Sequence, residues 1–496
     1  MIEFKGEKSF PDEFLWGTAI AAFQVEMGRG EVDPNTDWFV WAHDKRNIER
    51  GLVSGDLPEN GPGFWELYPN DLRLAREQLG NNAIRLSMDW SRIFPSPTTD
   101  VPVNAAFDSR GNVSGVNVSR EIMRALEEKA NETAVRKYRE ILEEARRLGL
   151  TPMLTLYHWP LPIWIHDPIA CRDDILHATR RGWVDQTTII EFAKYAAFVA
   201  KTFGDLVDLY ATMNEPRVVS GAGYLSTTTA SGFPPGIEDP NLFITATKNL
   251  AMAHGIAYEQ VKKWDKVSTS KFGPAFVGLV YDLQYFAPYD EKNKDDVNAA
   301  KFYEYIWNEW FLNAVMKGDY DINVNGAIEK DEQFPHLAKG CDYIGVNHYF
   351  RAKVKFVERG KHPLFNIEMV PCQDKDKCTD MGWEIYPPGI RYAVKWCYEK
   401  YRRPIMITEN GIADAKDEKR RSYLTQYLQE LYKAITEDGV PVKGYFHWSL
   451  IDNYEWTNGF KMRFGLFKVD YETKKRTPTN TVPFYREVGT TNSLPE

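Results

Sequence analysis

Eight short runs rich in β-branched and aromatic residues recur along the chain, each adjoining an amphipathic stretch, and this alternation constrains the fold more than any other feature. The runs are FLWGTA from Phe14, NAIRLSM from Asn82, PMLTLYHW from Pro152, LYATMNEP from Leu209, VGLVYDL from Val277, YIGVNHYF from Tyr343, IMITENG from Ile405 and GYFHWSL from Gly444. Strand-like runs separated by helical ones specify βα units and a parallel sheet. The stretch from Ala134 sets Val135, Tyr138, Ile141, Leu142, Ala145 and Leu148 at helical spacing and stops at Gly149, and that from Ile189 repeats the design up to Gly204. Eight such units predict an α/β fold, a single (β/α)8 TIM barrel with loop insertions.

The 496 residues could hold two or three average domains, but no Gly/Ser linker or composition shift divides them. Residues 1–496 are therefore read as one barrel, with a polar insertion from Pro95 to about Asn131 whose SREIMRALEEKANE portion is helical. A net charge of −9 and a pI of about 5.7 exclude a broad basic field, so no nucleic-acid partner is expected. MIEFKGEKSFPDEFLWG has no basic segment followed by an apolar run, and no later stretch approaches a membrane span. A cytoplasmic protein is the expectation, and the sequons at Asn112, Asn117 and Asn131 are read as unmodified. The five cysteines are odd in number and scattered, which fits a reducing compartment. Cys372 and Cys378, with His362 upstream, match no common zinc spacing and are read as a polar surface loop.

In such barrels chemistry sits at the C-terminal ends of the strands. Here those ends carry Arg85, then His158 and Trp159, Asn214 and Glu215, Asn347 and Tyr349, Glu409 and Asn410, and His447 and Trp448. Glycoside hydrolysis needs two carboxyl groups flanking the scissile bond. Glu215 in TMNEP and Glu409 in ITENG end the fourth and seventh runs, which face one another across an eight-stranded barrel. Each alone has a plainer explanation: Glu215 as a residue favoured at the start of a helix opened by Pro216, Glu409 as a solvated group before an Asn-Gly turn. At matched strand ends the paired reading is stronger. Gln24, His158, Asn214 and Glu455 suit hydrogen bonding to sugar hydroxyls, whereas Trp448 and Trp456 alone would be read as core.

The motifs FLWGTAIAAFQVEMG, DPNTDWFVWAHD, GLVSGDLPENGPGFWELY, YHWPLPIWIHDP, TMNEPRVV, GWEIYPPGI, ITENGIAD and FHWSLIDNYEWTNGFKMRFGL resemble glycoside hydrolase family one over essentially the whole chain, most nearly its archaeal β-glycosidases. The resemblance implies a retaining β-glycosidase with Glu215 as acid/base and Glu409 as nucleophile. It implies that Arg85, Asn347 and Tyr349 orient the nucleophile and that Asn214 contacts the 2-hydroxyl. It assigns Gln24, His158, Glu455 and Trp456 to outer hydroxyls, Trp448 to the platform under the sugar, Trp159 and Phe464 to the same subsite, and Trp383 to the leaving-group side. No metal or other cofactor is implied, and the partners are small β-glycosides and oligosaccharides, with a dimer or tetramer expected by analogy. β-Glucosides, β-galactosides and β-fucosides are the expected substrates, with β-mannosidase preference or a non-catalytic sugar-binding barrel as alternatives. His348 replaces a more usual Tyr and is expected in the pocket wall. Glu455, Met462 and Phe464 stand where enzymes for phosphorylated sugars carry Ser, Lys and Tyr, which disfavours that substrate despite Lys461 next door.

Overall fold

The computed structural model describes residues 8–225, 232–358 and 365–495. Each of the eight runs supplies one strand: β1 (Leu15–Ala19), β2 (Ala83–Ser87), β3 (Thr151–Tyr157), β4 (Leu209–Asn214), β5 (Phe276–Asp282), β6 (Tyr343–Asn347), β7 (Ile405–Asn410) and β8 (Val442–Trp448). They pair in parallel in sequential order, and β1 closes the barrel by pairing with both β2 and β8.

Helices cover the outer face. Among them are α1 (Glu132–Arg147), α2 (Gln186–Phe203), α3 (Pro216–Tyr224), α4 (Pro240–Trp264), α5 (Pro388–Tyr401) and α6 (Arg420–Thr436). The predicted stripe of α1 is buried at Tyr138, Ile141, Leu142 and Ala145 and half-buried at Val135 and Leu148. Its start is set by Asn131, whose side chain accepts from the backbone N–H groups of Thr133 (3.1 Å) and Ala134 (3.3 Å), a cap worth about 1 kcal/mol. As predicted, α2 ends where Gly204 caps it.

The lumen is a packed core of large rings set against strand glycines. Phe446 lies over Gly17 and Tyr343 over Gly278, so that a Cβ on either glycine would overlap the facing ring. Tyr343 also donates to the carbonyl of Tyr210 at 2.8 Å, satisfying its hydroxyl inside this apolar layer. Above it the pairing becomes irregular. The β4–β5 register shifts between Ala211 and Asn214, and the β7–β6 register shifts between Ile407 and Glu409. Such irregularities re-aim side chains, and here they fall just before Glu215 and at Glu409.

The segment 95–131 contains the expected helix, at Arg120–Lys129, and also an antiparallel pair, Asn104–Phe107 with Val113–Asn117, that its polar composition does not announce. Cys372 and Cys378 correct the reading of unpaired cysteines. They form a disulfide with Cα atoms 5.8 Å apart, so neither is a thiolate ligand, while Cys171, Cys341 and Cys397 are free and buried. His362 lies outside the described residues. Among the described residues, no helix is long and apolar enough to cross a membrane.

Since rings fill the lumen, Gly278→Ala should press its methyl into the Tyr343 ring and destabilise the protein by about 1–3 kcal/mol. Thermal unfolding of this variant beside Tyr343→Phe, which keeps the ring, measures the effect; an unshifted midpoint would mean that the lumen has room to spare.

Candidate active site

Arg85, on β2, is the hub of the polar layer above the lumen. Its side chain donates to Glu409 Oε1 (2.5 Å) and the Thr408 carbonyl (3.2 Å) on β7, to Thr155 Oγ1 (3.1 Å) on β3, and to Asn214 Oδ1 (2.7 Å) on β4. Asn347 on β6 donates to the same Asn214 oxygen at 3.1 Å and to Glu215 Oε1 at 2.6 Å. Tyr349 donates its hydroxyl to Glu409 Oε2 at 2.6 Å. The two glutamates, from strands three steps apart around the barrel, are thus joined through Arg85, Asn214 and Asn347 and are only 7% (Glu215) and 4% (Glu409) exposed.

The plainer explanations can be tested against this geometry. Pro216 does open α3, but Glu215 makes no side-chain cap bond. Its backbone is left-handed (φ 46°), a conformation unfavourable by roughly 1–3 kcal/mol for a residue with a Cβ, and its carboxyl faces Asn347 rather than the helix end. Nor is Glu409 solvated before a turn, because both its oxygens accept from buried donors. Asn410, by contrast, is structural: its amide donates to the His348 carbonyl and the Tyr423 hydroxyl.

The expected sugar-binding residues fall into two walls. On one side Trp456 packs against Trp159 (4.5 Å) and near-parallel to His158 (6.1 Å), and His158 in turn stacks on Trp448 (5.9 Å). Gln24 lies here too, donating to Asn453 Oδ1 (3.0 Å), the Tyr454 carbonyl (2.9 Å) and Glu455 Oε2 (3.3 Å). On the other side Trp383 contacts Tyr349 (5.3 Å), Phe350 (5.1 Å) and Phe464 (6.2 Å). Three buried polar atoms of these residues have no partner among the described residues: Gln24 Oε1, His158 Nδ1 and Asn214 Nδ2. Buried polar groups are normally satisfied, and these three atoms are left able to bond a ligand at the site. Met462 packs with Trp448 and Phe464 in one apolar cluster, while Lys461 is exposed.

The site gathers more acids than cations, and burial sets their protonation. Burial holds Glu215 well above the usual carboxylate range, reinforced by the charges of Asp282 and Glu409 and opposed by the Asn347 hydrogen bond and Arg85. Burial and the Glu409 charge push Glu455 up to about 8 against the Gln24 hydrogen bond. Burial, with the positive charge of Arg85, holds His158 well below its ordinary value, so its ring is neutral. A site holding one carboxyl group protonated beside an Arg-bound carboxylate can both donate a proton and present a negative charge.

Two expectations need correction. Asn347, expected to orient the nucleophile, turns its amide nitrogen to Glu215 and Asn214 and accepts from Thr408 Oγ1 (2.7 Å), so it positions the acid/base candidate instead. His348 is no pocket wall. It is fully buried behind the barrel, its Nδ1 2.7 Å from the Leu283 carbonyl and its ring beside Gly389 of α5 and Tyr427 of α6. Sequence reading also passed over Asp282, the last residue of β5, although the strand-end rule applied to VGLVYDL points to it.

The chain matches the family model described as Glycosyl hydrolase family 1 over residues 6–108 and 115–494. It is 42% identical over 506 residues to the beta-galactosidase of Pyrococcus woesei, covering 98% of each chain. It is 40% identical to the beta-galactosidase of Saccharolobus solfataricus, covering 98% of this chain and 96% of that one. Among solved structures, the beta-glycosidase of Thermosphaera aggregans superposes with a TM-score of 0.89 at 38% identity, covering 98% of both chains.

Arg85→Met leaves Glu409 buried with Tyr349 as its one side-chain donor and should destabilise the protein by about 3–5 kcal/mol. Adding Glu409→Gln should recover part of that loss by removing the unpaired charge. Chemical denaturation of the two single variants and the double variant gives the coupling, and strict additivity would show that the pair is not held as described.

Proposed function

We propose, from the premise that this chain belongs to glycosyl hydrolase family 1, that it cleaves terminal β-glycosides by double displacement with retention of the anomeric configuration. It is a glycoside hydrolase of the β-galactosidase and β-glucosidase type. The observation that carries the finer reading is the pair of buried glutamates at facing strand ends, one bonded to Arg85 and Tyr349, the other held protonated by burial.

In the first step Glu409 attacks the anomeric carbon while Glu215 gives its proton to the departing oxygen. Arg85 and Tyr349 hold both Glu409 oxygens, so that lone pairs and not rotamers decide the direction of attack. Water then attacks the glycosyl-enzyme, Glu215 takes a proton from it, and Glu409 leaves as carboxylate. Asn214, with its Nδ2 free and its Oδ1 fixed by Arg85 and Asn347, is the donor for the 2-hydroxyl, a bond that strengthens as positive charge develops on the ring. Gln24, His158, Glu455 and Trp456 take the outer hydroxyls. The Trp448 ring and the Phe464 wall support the sugar face, and Trp383 borders the leaving group.

Glucosides and galactosides are the preferred substrates in this reading, with fucosides accepted, because the curated relatives include beta-galactosidases and the Beta-glucosidase A of Thermotoga maritima. Acceptance of a fucoside, which lacks the 6-hydroxyl, follows if the other hydroxyl contacts carry most of the binding. Assembly into a homo-oligomer is proposed by analogy with a solved relative described as derived from a hyperthermophilic tetrameric structure.

The assignment of the two acids is tested by Glu409→Gly and Glu215→Ala, each assayed with and without azide. The first should be inactive until azide restores turnover as the α-glycosyl azide. The second should yield the β-glycosyl azide from a substrate with a good leaving group. Exchange of these two products would reverse the roles, and azide-insensitive activity in Glu409→Gly would remove that residue from catalysis. Rates on nitrophenyl β-glucoside, β-galactoside, β-fucoside and β-mannoside rank the sugars, and a best rate on the mannoside would overturn the preference for glucosides and galactosides.

A further inference from the structure

The double-displacement scheme gives no task to Asp282, yet strand pairing sets it beside the proton that the reaction moves. Glu215 N–H donates to the carbonyl of Val280 at 2.9 Å, two residues before Asp282 on β5. On its other side Asp282 stands in register with Asn347, whose amide donates to Glu215. The end of β5 is therefore wedged between the residue that carries the proton and the residue that aims it.

The Asp282 side chain is 9% exposed, and its surroundings suit a carboxylate. Gln284 Nε2 donates to Oδ1 and Trp307 Nε1 to Oδ2 at 3.0 Å. Gln284 is itself fixed, because its Oε1 accepts from the backbone N–H groups of Tyr349 (3.2 Å) and Phe350 (3.1 Å). An amide at 282 would turn one NH2 group against a donor; a carboxylate accepts from both. Among the described residues no Lys or Arg lies within 4 Å of Asp282 in an ion pair. Arg217, from α3, is packed over the Trp307 ring at 4.0 Å and tempers the charge through space.

We propose that Asp282 is a positioning residue that keeps Glu215 protonated until the leaving oxygen takes the proton, and so sets the alkaline limit of activity. This rests on the reading of Glu215 as the acid/base. The groups facing the pair are Arg85 from β2, Arg217 from α3, Tyr281 on β5, Tyr303, Tyr349 after β6 and Glu409 from β7. Burial raises all three tyrosines, so they stay neutral across the working range. Burial also raises Asp282, to about 7, and once it is ionised its charge opposes loss of the Glu215 proton. No bond to Asp282 forms or breaks. In the first step the proton passes from Glu215 to the departing oxygen; in the second the same charge makes Glu215 a better acceptor of the proton from water.

The sign is fixed. Without the Asp282 charge, Glu215 loses its proton at lower pH and the protonated fraction falls sooner. For Asp282→Asn, the basic limb of kcat/KM on phenyl β-glucoside should move down by about one pH unit, the scale of a nearby like charge. Asp282→Glu should hold the limb near its native position, and Arg217→Met, which leaves the Asp282 charge less compensated, should move it up. These two variants carry the test if the Asn variant does not fold. On 2,4-dinitrophenyl β-glucoside, whose leaving group needs no proton, the limb should be absent for native and variant proteins alike. A limb that stays in place in Asp282→Asn, or moves alike in Asp282→Glu and Asp282→Asn, overturns the proposal. Glu215→Gln separates the two levels: a loss of kcat/KM confined to the phenyl substrate supports Glu215 as the acid, and an equal loss of kcat/KM on both substrates overturns that reading and the proposal built on it.

Discussion

A buried guanidinium ties the polar layer of this barrel together. From β2, Arg85 reaches β3, β4 and β7 and through Asn214 touches the hydrogen-bonding chain that ends on Glu215. A charge taken this far from water is costly unless every donor finds an acceptor and an opposite charge lies close. Arg85 has an acceptor for each of its three guanidinium nitrogens, from a carbonyl, a threonine hydroxyl and an asparagine oxygen, and Glu409 as its opposite charge. Few side chains could replace it, since only a planar fork of five donors serves so many fixed acceptors at once. The positions of the two glutamates are consequences of that fork as much as of their own strands.

The acids around this cation outnumber it, and the imbalance has a use. Around Glu409, burial disfavours the ionisation of Glu215, Asp282 and Glu455. Arg85 spends its direct ion pair on Glu409. Glu215, with a neutral amide as its partner, keeps its proton. The left-handed backbone at Glu215 and the orphaned polar atoms of Gln24, His158 and Asn214 are further departures from what stability alone would select. They sit on top of a lumen filled by aromatic rings, where apolar packing is dense enough to tolerate them.

Much of this was legible in the chain. Runs rich in β-branched and aromatic residues located every barrel strand, because strands buried on both faces are apolar throughout, and the period-3.6 pattern located the helices from Ala134 and Ile189, because burial of one face imposes that spacing. The strand-end rule drew attention to most of the site. What it misjudged were orientations. Asn347 and His348 are adjacent in sequence at the end of β6, so one points into the barrel and the other out of it, and which is which depends on the β6–β7 register, shifted at Glu409. Asp282 escaped notice because one aspartate after an apolar run has no spacing partner in sequence. The antiparallel pair at Asn104–Phe107 and Val113–Asn117 hid in polar composition, and the Cys372–Cys378 bond was hidden by an odd, scattered set of thiols.

The sequence by itself determined the kind of barrel, the order of its strands, and which residue types stand at their C-terminal ends, since hydrophobic periodicity is a local property that survives without knowledge of neighbours. Only the tertiary structure decided that Arg85 reaches Glu409, that Asn347 serves Glu215 and not Glu409, that His348 faces helices, and that Asp282 borders the acid. These depend on register between strands distant in the chain, where one extra residue in a ladder exchanges the two faces of everything beyond it.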